Sequence, residues 1–278
     1  MLAYCLIKNK HQILEEEREI NPYITFIIVS SLILAFSIGA QEETMATTLG
    51  SASLSVKSAM IVGAILIFLG STIFSEGVGK TLGANILQED FSYSRPMMFA
   101  VLFTAIVWLL VGAITTVPVS LNQTVVGSIL GVITINIFVT DQSFNSVLNV
   151  REVGIVFLGW ILGPIFAYCL AMLAELLIHK FVHTKFKGLL DVEKKESYFR
   201  LFIIAFVSLN QMSTAGNQAG HALGMVYGME KAGDIGAQTV LIMVLAVAGA
   251  YVLGFVLFGK GLIVGLGEAM GNMRPSET

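Results

Sequence analysis

Three polar stretches interrupt an otherwise apolar chain, and each holds side chains able to bind ions. The first is Gly39-Ala40-Gln41-Glu42-Glu43-Thr44, followed by Thr47, Thr48 and Ser51. Two carboxylates stand there at the end of an apolar run. Ionisable groups at membrane depth are costly and line cavities or ion paths, so both are candidates; the other reading is a helix that ends at Gly39 with its carboxylates facing water, and for Glu43 the two readings weigh equally. The second stretch, Thr115 to Thr124, separates two apolar runs without a single charge. Pro118 lacks an amide donor and breaks a helix there. Broken backbone is tolerated in a bilayer only where protein or a wet cavity surrounds it, so Ser120, Asn122, Gln123 and Thr124 are candidate cavity-lining groups. The third, Ser208 to Gly224, is rich in amides, hydroxyls and glycine and contains no acid. Asn217, Gln218 and His221 stand out in it. A lone His221 reads equally as a satisfied interior histidine, and its amide neighbours favour a site.

The elements that must position these groups are membrane helices. The 278 residues are 55% hydrophobic and 13% charged, with mean hydropathy +0.81. Soluble domains carry about 25% charge, so the composition excludes an ordinary soluble enzyme. A net charge of −3 supplies no field for nucleic acid. Crossing a bilayer takes about 20 apolar residues. Spans are expected over 23–40, 59–75, 97–114, 125–139 and 153–178. A sixth begins near Tyr198 and fades at Val207, the next covers 237–258, and a weaker stretch runs from Leu262 to Met270. That makes seven or eight membrane segments in an all-α, polytopic, multi-pass protein of the cell membrane. Residues 1–22 read as an N-terminal tail with no signal-peptide pattern, because Glu15, Glu16, Glu17 and Glu19 follow a very short apolar run. The basic stretch 179–199, with Lys180, Lys185, Lys187, Lys194 and Lys195, reads as a cytoplasmic loop. His179 and His183 lack the acidic or cysteine partners of a metal site. Cys5 and Cys169 form no disulfide framework.

The chain also matches itself. Leu69, Gly70, Phe74, Gly77, Leu82 and Gly83 recur 184 residues later as Leu253, Gly254, Phe258, Gly261, Leu266 and Gly267. A polar stretch lies upstream of each copy. Duplicated spans with paired polar breaks are the mark of a secondary transporter. The organisation expected is a first repeat over 23–178 and a second, incomplete one over 200–278, without a counterpart of 97–139.

The order of these motifs resembles the PiT-type inorganic phosphate transporter family, which includes sulfate permeases. Its members carry Gly-Ala-Asn-Asp in each half, then a Gly-Ser-rich stretch and a helix. Gly39-Ala40-Gln41-Glu42 and Gly50-Ser51-Ala52-Ser53-Leu54-Ser55 look like the first copy. Ala215 to Gly224 looks like the second, and Pro118 to Gly131 looks like the family's Pro-Val-Ser-Thr-Thr-His and small-residue helix. The resemblance implies an inverted-repeat transporter with broken helices, holding a tetrahedral oxyanion and coupling ions near the membrane midplane. By position it assigns Gln41, Asn217, Gln218 and His221, with Ser120, Asn122, Gln123 and Thr124, to the substrate site, and Glu42 to the coupling ion. The family's Asp is Glu42 in one half, which keeps a carboxylate, and Gln218 in the other, which loses it. Na⁺ or H⁺ is therefore the coupling ion to expect, and no other cofactor.

No Arg or Lys stands in the three polar stretches. The anion's charge would be offset by half-helix N-termini near Gln41, Ser120 and Asn217 and by a co-transported cation. The functional expectation is a phosphate or related oxyanion permease working by cation symport. A second chain or a homodimer would supply missing helices. Two other readings stand beside it, a sulfate permease and a transport-deficient subunit of a split transporter. No nucleophile–base set suggests an enzyme.

Overall fold

Apolar sequence with every backbone group to be satisfied internally leaves the helix as the solution in lipid. The computed structural model describes residues 22–115, 119–181 and 189–271. Among them no strand forms, only an isolated bridge between Leu87 and Leu148. The helices are α1 (Pro22–Ala40), the short α2 (Ala46–Gly50), α3 (Val56–Lys80), α4 (Arg95–Thr115), α5 (Leu121–Thr140), the short α6 (Phe144–Val147), α7 (Val150–Phe181), α8 (Leu189–Ala232), α9 (Ala237–Gly254) and α10 (Lys260–Ala269). A π-helical turn, Thr81–Asn85, extends α3, and another, Phe255–Gly259, fuses α9 to α10. Among the described residues five helices are long and apolar enough to cross a membrane, and α4 adds a shorter apolar stretch.

The first five expected spans each lie within one helix. The span expected over 237–258 lies within the helical stretch Ala237–Ala269 as well, and other expectations need correction. The weaker apolar stretch from Leu262 is no separate segment, because α9 and α10 make one 33-residue span from Ala237 to Ala269. The connector expected over 179–199 is helical where it is described, since α7 runs to Phe181 and α8 starts at Leu189. Lys, Glu and Leu favour helix whether or not they face water. His183, Lys185 and Lys187 lie outside the described residues, as do Pro118, Cys5 and the tail 1–21.

The largest correction concerns Ser208 to Gly224. It contains no break; α8 runs unbroken through it for 44 residues. Its glycines serve packing instead. Gly216, Gly220 and Gly224 recur every fourth residue, which lines them up along one face. Cβ atoms there would crowd Phe74 and Val78 of α3 and Leu82 of the π-helical turn that extends it, also four apart. Across the same seam, a Cβ on Gly70 would meet the Met212 carbonyl, and one on Gly83 the Gly224 carbonyl. The order of these pairs makes α3 and α8 run side by side in the same direction. Small residues at fixed spacing let backbones approach and give van der Waals contact in lipid, where helices have no hydrophobic drive to associate.

A second close pair joins α1 and α9. A Cβ on Gly254 would meet the Phe36 carbonyl, and one on Gly39 the Tyr251 carbonyl. The two pairs repeat one contact. Gly254 lies 184 residues after Gly70, and Met212 lies 176 after Phe36. The helix pair α1–α9 therefore mirrors α8–α3, each combining one element from either half of the chain. By contrast, none of the apolar window of α7 is buried within the described chain. Polar ties close one end of the bundle. Arg95 pairs with Asp234 at 2.6 Å, and Lys231 donates to the Ala84 and Gln88 carbonyls at 3.1 and 2.8 Å.

Candidate functional site

The end of α1 positions the one deeply buried carboxylate found among the described residues. After Ala40 the chain leaves the helix and turns through Gln41 into α2. Gln41 and Glu43 are exposed, while Glu42 is turned inward at 2% exposure. Thr44 donates its backbone N–H and its hydroxyl to Glu42 Oε1 at 3.1 and 2.6 Å. The Tyr251 phenol, from α9, donates to Oε2. No ion pair reaches Glu42 among the described residues. A buried carboxylate without a cationic partner is costly. The carbonyl end of α1 adds partial negative charge beside it. Both features suit a cation.

Tyr251 also reaches the other half of the chain, its Oη lying 2.8 Å from Oε1 of Gln218 on α8. A phenol has one hydrogen. Given to Glu42, it leaves Oη an acceptor, which Gln218 satisfies by turning its NH₂ toward it; an amide flip interchanges the two ends. Gln218 stands 176 residues after Glu42, the offset that relates Met212 to Phe36. The structure thus brings equivalent side chains of the two halves to one hydroxyl.

The other sequence-assigned residues divide between two places. Asn217 and His221 stay on α8, where His221 Nδ1 donates to the Asn217 carbonyl at 2.8 Å. That bond fixes the proton on Nδ1 and leaves Nε2 an acceptor in the neutral ring. Ser120, Asn122, Gln123 and Thr124 sit at the start of α5. Ser120 is its N-cap, accepting from the Gln123 N–H at 3.5 Å. A cavity of about 360 Å³ between α4 and α5 is lined by Thr104, Trp108, Gln123, Thr124, Gly127 and Ser128, among others. The Thr124 hydroxyl is buried there without a partner. None of Glu42, Gln218 or Tyr251 lines this cavity.

The half-helix N-termini expected near Gln41 and Asn217 are not found. Asn217 is mid-helix. Gln41 follows a helix C-terminus, and the amides of Gln41 and Glu42 are spent on the Ile38 and Gly39 carbonyls at 3.1 and 3.2 Å. Of the three expected places, the start of α5 is a helix N-terminus, with Ser120 as its N-cap. Sequence reasoning missed Tyr251, an aromatic inside an apolar run. One signal existed, because the internal repeat sets Tyr251 opposite Ile67, so the second copy alone carries a hydroxyl at that place. Gln211 was missed as well. It is fully buried, without a partner for either amide atom, two helical turns from Gln218 on the same face of α8.

The sequence matches the Phosphate transporter family over residues 38–278. The chain belongs to that family. Its members are transporters rather than enzymes, in line with the reading of the composition. A low-affinity inorganic phosphate transporter of Buchnera aphidicola is 29% identical over 171 residues, covering 59% of this chain and 34% of that protein. A sodium-dependent phosphate transporter of Plasmodium falciparum is 25% identical over 194 residues, covering 66% of this chain and 28% of that protein. The chain therefore spans about a third of the length of these relatives. A solved sodium-dependent phosphate transporter superposes with a TM-score of 0.67 at 17% identity, over 92% of this chain and 80% of that one, and shares the fold.

Proposed function

We propose that the protein is a cell-membrane phosphate permease that couples entry of the anion to a cation held at Glu42. The observation that carries this reading is the buried Glu42 carboxylate, which has three hydrogen-bond donors and, among the described residues, no basic partner. A carboxylate in a dry interior calls for a counter-cation. Sodium, a hard ion, takes oxygen ligands, as other hard cations do, and the Glu42 carboxylate with the Thr44 hydroxyl beside it offers oxygen. The names of the relatives support the same substrate.

The anion finds its donors at the start of α5. Free first-turn amides and the positive end of the helix dipole favour a tetrahedral oxyanion, and the unpartnered Thr124 hydroxyl points to the same cavity. Separate places for cation and anion, with no Arg or Lys at either, favour symport over an open pore, because neither charge is neutralised by the protein alone.

The test is uptake of labelled phosphate and sulfate into proteoliposomes of the purified chain, with sodium and pH gradients imposed separately. Phosphate uptake driven by the sodium gradient is the expected result. Uptake of sulfate in preference, or uptake driven only by the pH gradient, would replace the assigned ion. No uptake by folded, monodisperse protein would leave the subunit reading.

A further inference from the structure

We propose that Tyr251 is an internal competitor of the coupling cation, a latch that closes the Glu42 site when it is empty and opens when sodium enters. The inference rests on the transport reading above and adds a positioning residue to it.

Glu42 accepts three donors of the roughly four a carboxylate can take. Thr44 occupies Oε1 twice, Tyr251 shares Oε2, and the residue is 2% exposed. A sodium ion needs several oxygen ligands around it, more room than the one free lone pair on Oε2 leaves at a buried residue, so its entry displaces a donor from the carboxylate. Thr44 is two residues away on the same turn, and its N–H moves only with the backbone. Tyr251 is a side chain from another helix and can leave by rotation. Its departure also ends the contact with Gln218, because one hydroxyl makes both bonds. Cation entry is thereby linked to the loss of the hydrogen bonds that join the end of α1, the middle of α8 and α9. Those three elements come from both halves of the chain, so the same hydroxyl that competes with the ion also holds the halves together.

A competitor and a ligand predict opposite signs. Were Tyr251 a sodium ligand, removing its oxygen would weaken sodium binding. As a latch, its removal strengthens it. The experiment compares the wild type with Tyr251→Phe by sodium-dependent thermal stabilisation of the purified protein, choline replacing sodium, and in parallel by sodium-driven phosphate uptake. The expected result is a fall of about tenfold in the half-saturating sodium concentration, the scale of one charge-assisted hydrogen bond. Maximal uptake per unit of bound sodium should fall, because the bond that ties ion binding to the two halves is gone. Gln218→Met, close in length and without an amide, should shift the half-saturating concentration in the same direction by less. It carries the test if Tyr251→Phe does not fold. An unchanged or increased half-saturating concentration in a folded variant, with the wild type responding to sodium, overturns the latch alone. A wild type that neither binds sodium nor takes up phosphate overturns the transport reading and the latch with it.

Discussion

A carboxylate that meets three donors and no base defines the chemistry at the scale of single residues. Replacing Glu42 by Gln keeps the volume and removes the charge. The expected outcome is loss of sodium-dependent thermal stabilisation, with apparent stability in the absence of sodium unchanged or higher, because an uncompensated buried charge has been removed. A thermal melt with and without sodium reads both. Retained sodium dependence would move the cation elsewhere. Glu42 was legible in the sequence because a charge inside an apolar chain is rare and costly. Its neighbour Glu43, identical in type, is exposed; only the turn after Ala40 decides which of the two points inward, and adjacent residues carry no signal for that. Tyr251 was not legible for a related reason. An aromatic in an apolar run usually packs, and its hydroxyl gains a role from Glu42, which lies far off in sequence.

At the scale of elements, glycine spacing decides more than polarity does. Ser208 to Gly224 reads as a break because its composition is that of loops, and it is instead the middle of the longest helix. The correct signal was the four-residue period of Gly216, Gly220 and Gly224, which a count of polar residues hides. Gly220→Leu would drive its side chain into Val78, where a Cβ already stands only 2.6 Å from that residue's Cβ. Overpacking of this kind costs about 1–3 kcal/mol or more. The expected outcome is a lowered melting temperature and loss of monodispersity, while Gly127→Ala, at a position with nothing within 4 Å, should leave the melt unchanged. Equal effects at the two sites would remove the seam from the argument. The start of α5 makes the complementary prediction. Ser120→Ala deletes the N-cap, which costs about 1 kcal/mol of helix stability, and should weaken half-saturation by phosphate while leaving that for sodium unchanged. Parallel titrations of the two ions separate these effects. The helix start at Leu121, with Ser120 as its extended N-cap, was legible, because uncharged hydroxyl and amide residues between apolar runs have few other uses in a bilayer.

At the scale of the whole molecule, the two halves offer equivalent positions with unequal chemistry, and that can be tested by exchange. Gly70 meets Met212 as Gly254 meets Phe36, and the same offset pairs Glu42 with Gln218. Both side chains reach the Tyr251 hydroxyl. A carboxylate moved from 42 to 218 therefore stays within one hydroxyl of its original place. The double variant Glu42→Gln with Gln218→Glu keeps the net charge, the number of carboxylates and nearly the volume. It should recover sodium-dependent stabilisation that Glu42→Gln alone loses. Recovery should be incomplete, because the Thr44 hydroxyl oxygen, an ion ligand beside position 42, stays there. A half-saturating sodium concentration about tenfold above that of the wild type is expected for the loss of one oxygen ligand. The argument depends on the pairing of the halves, since an unrelated glutamate placed on α8 has no reason to rescue a site at the end of α1. Gln211→Glu, two turns away on the same helix face, is therefore the control, and rescue by it as full as by Gln218→Glu would show that any buried charge suffices and that the two-fold pairing has no part in the site.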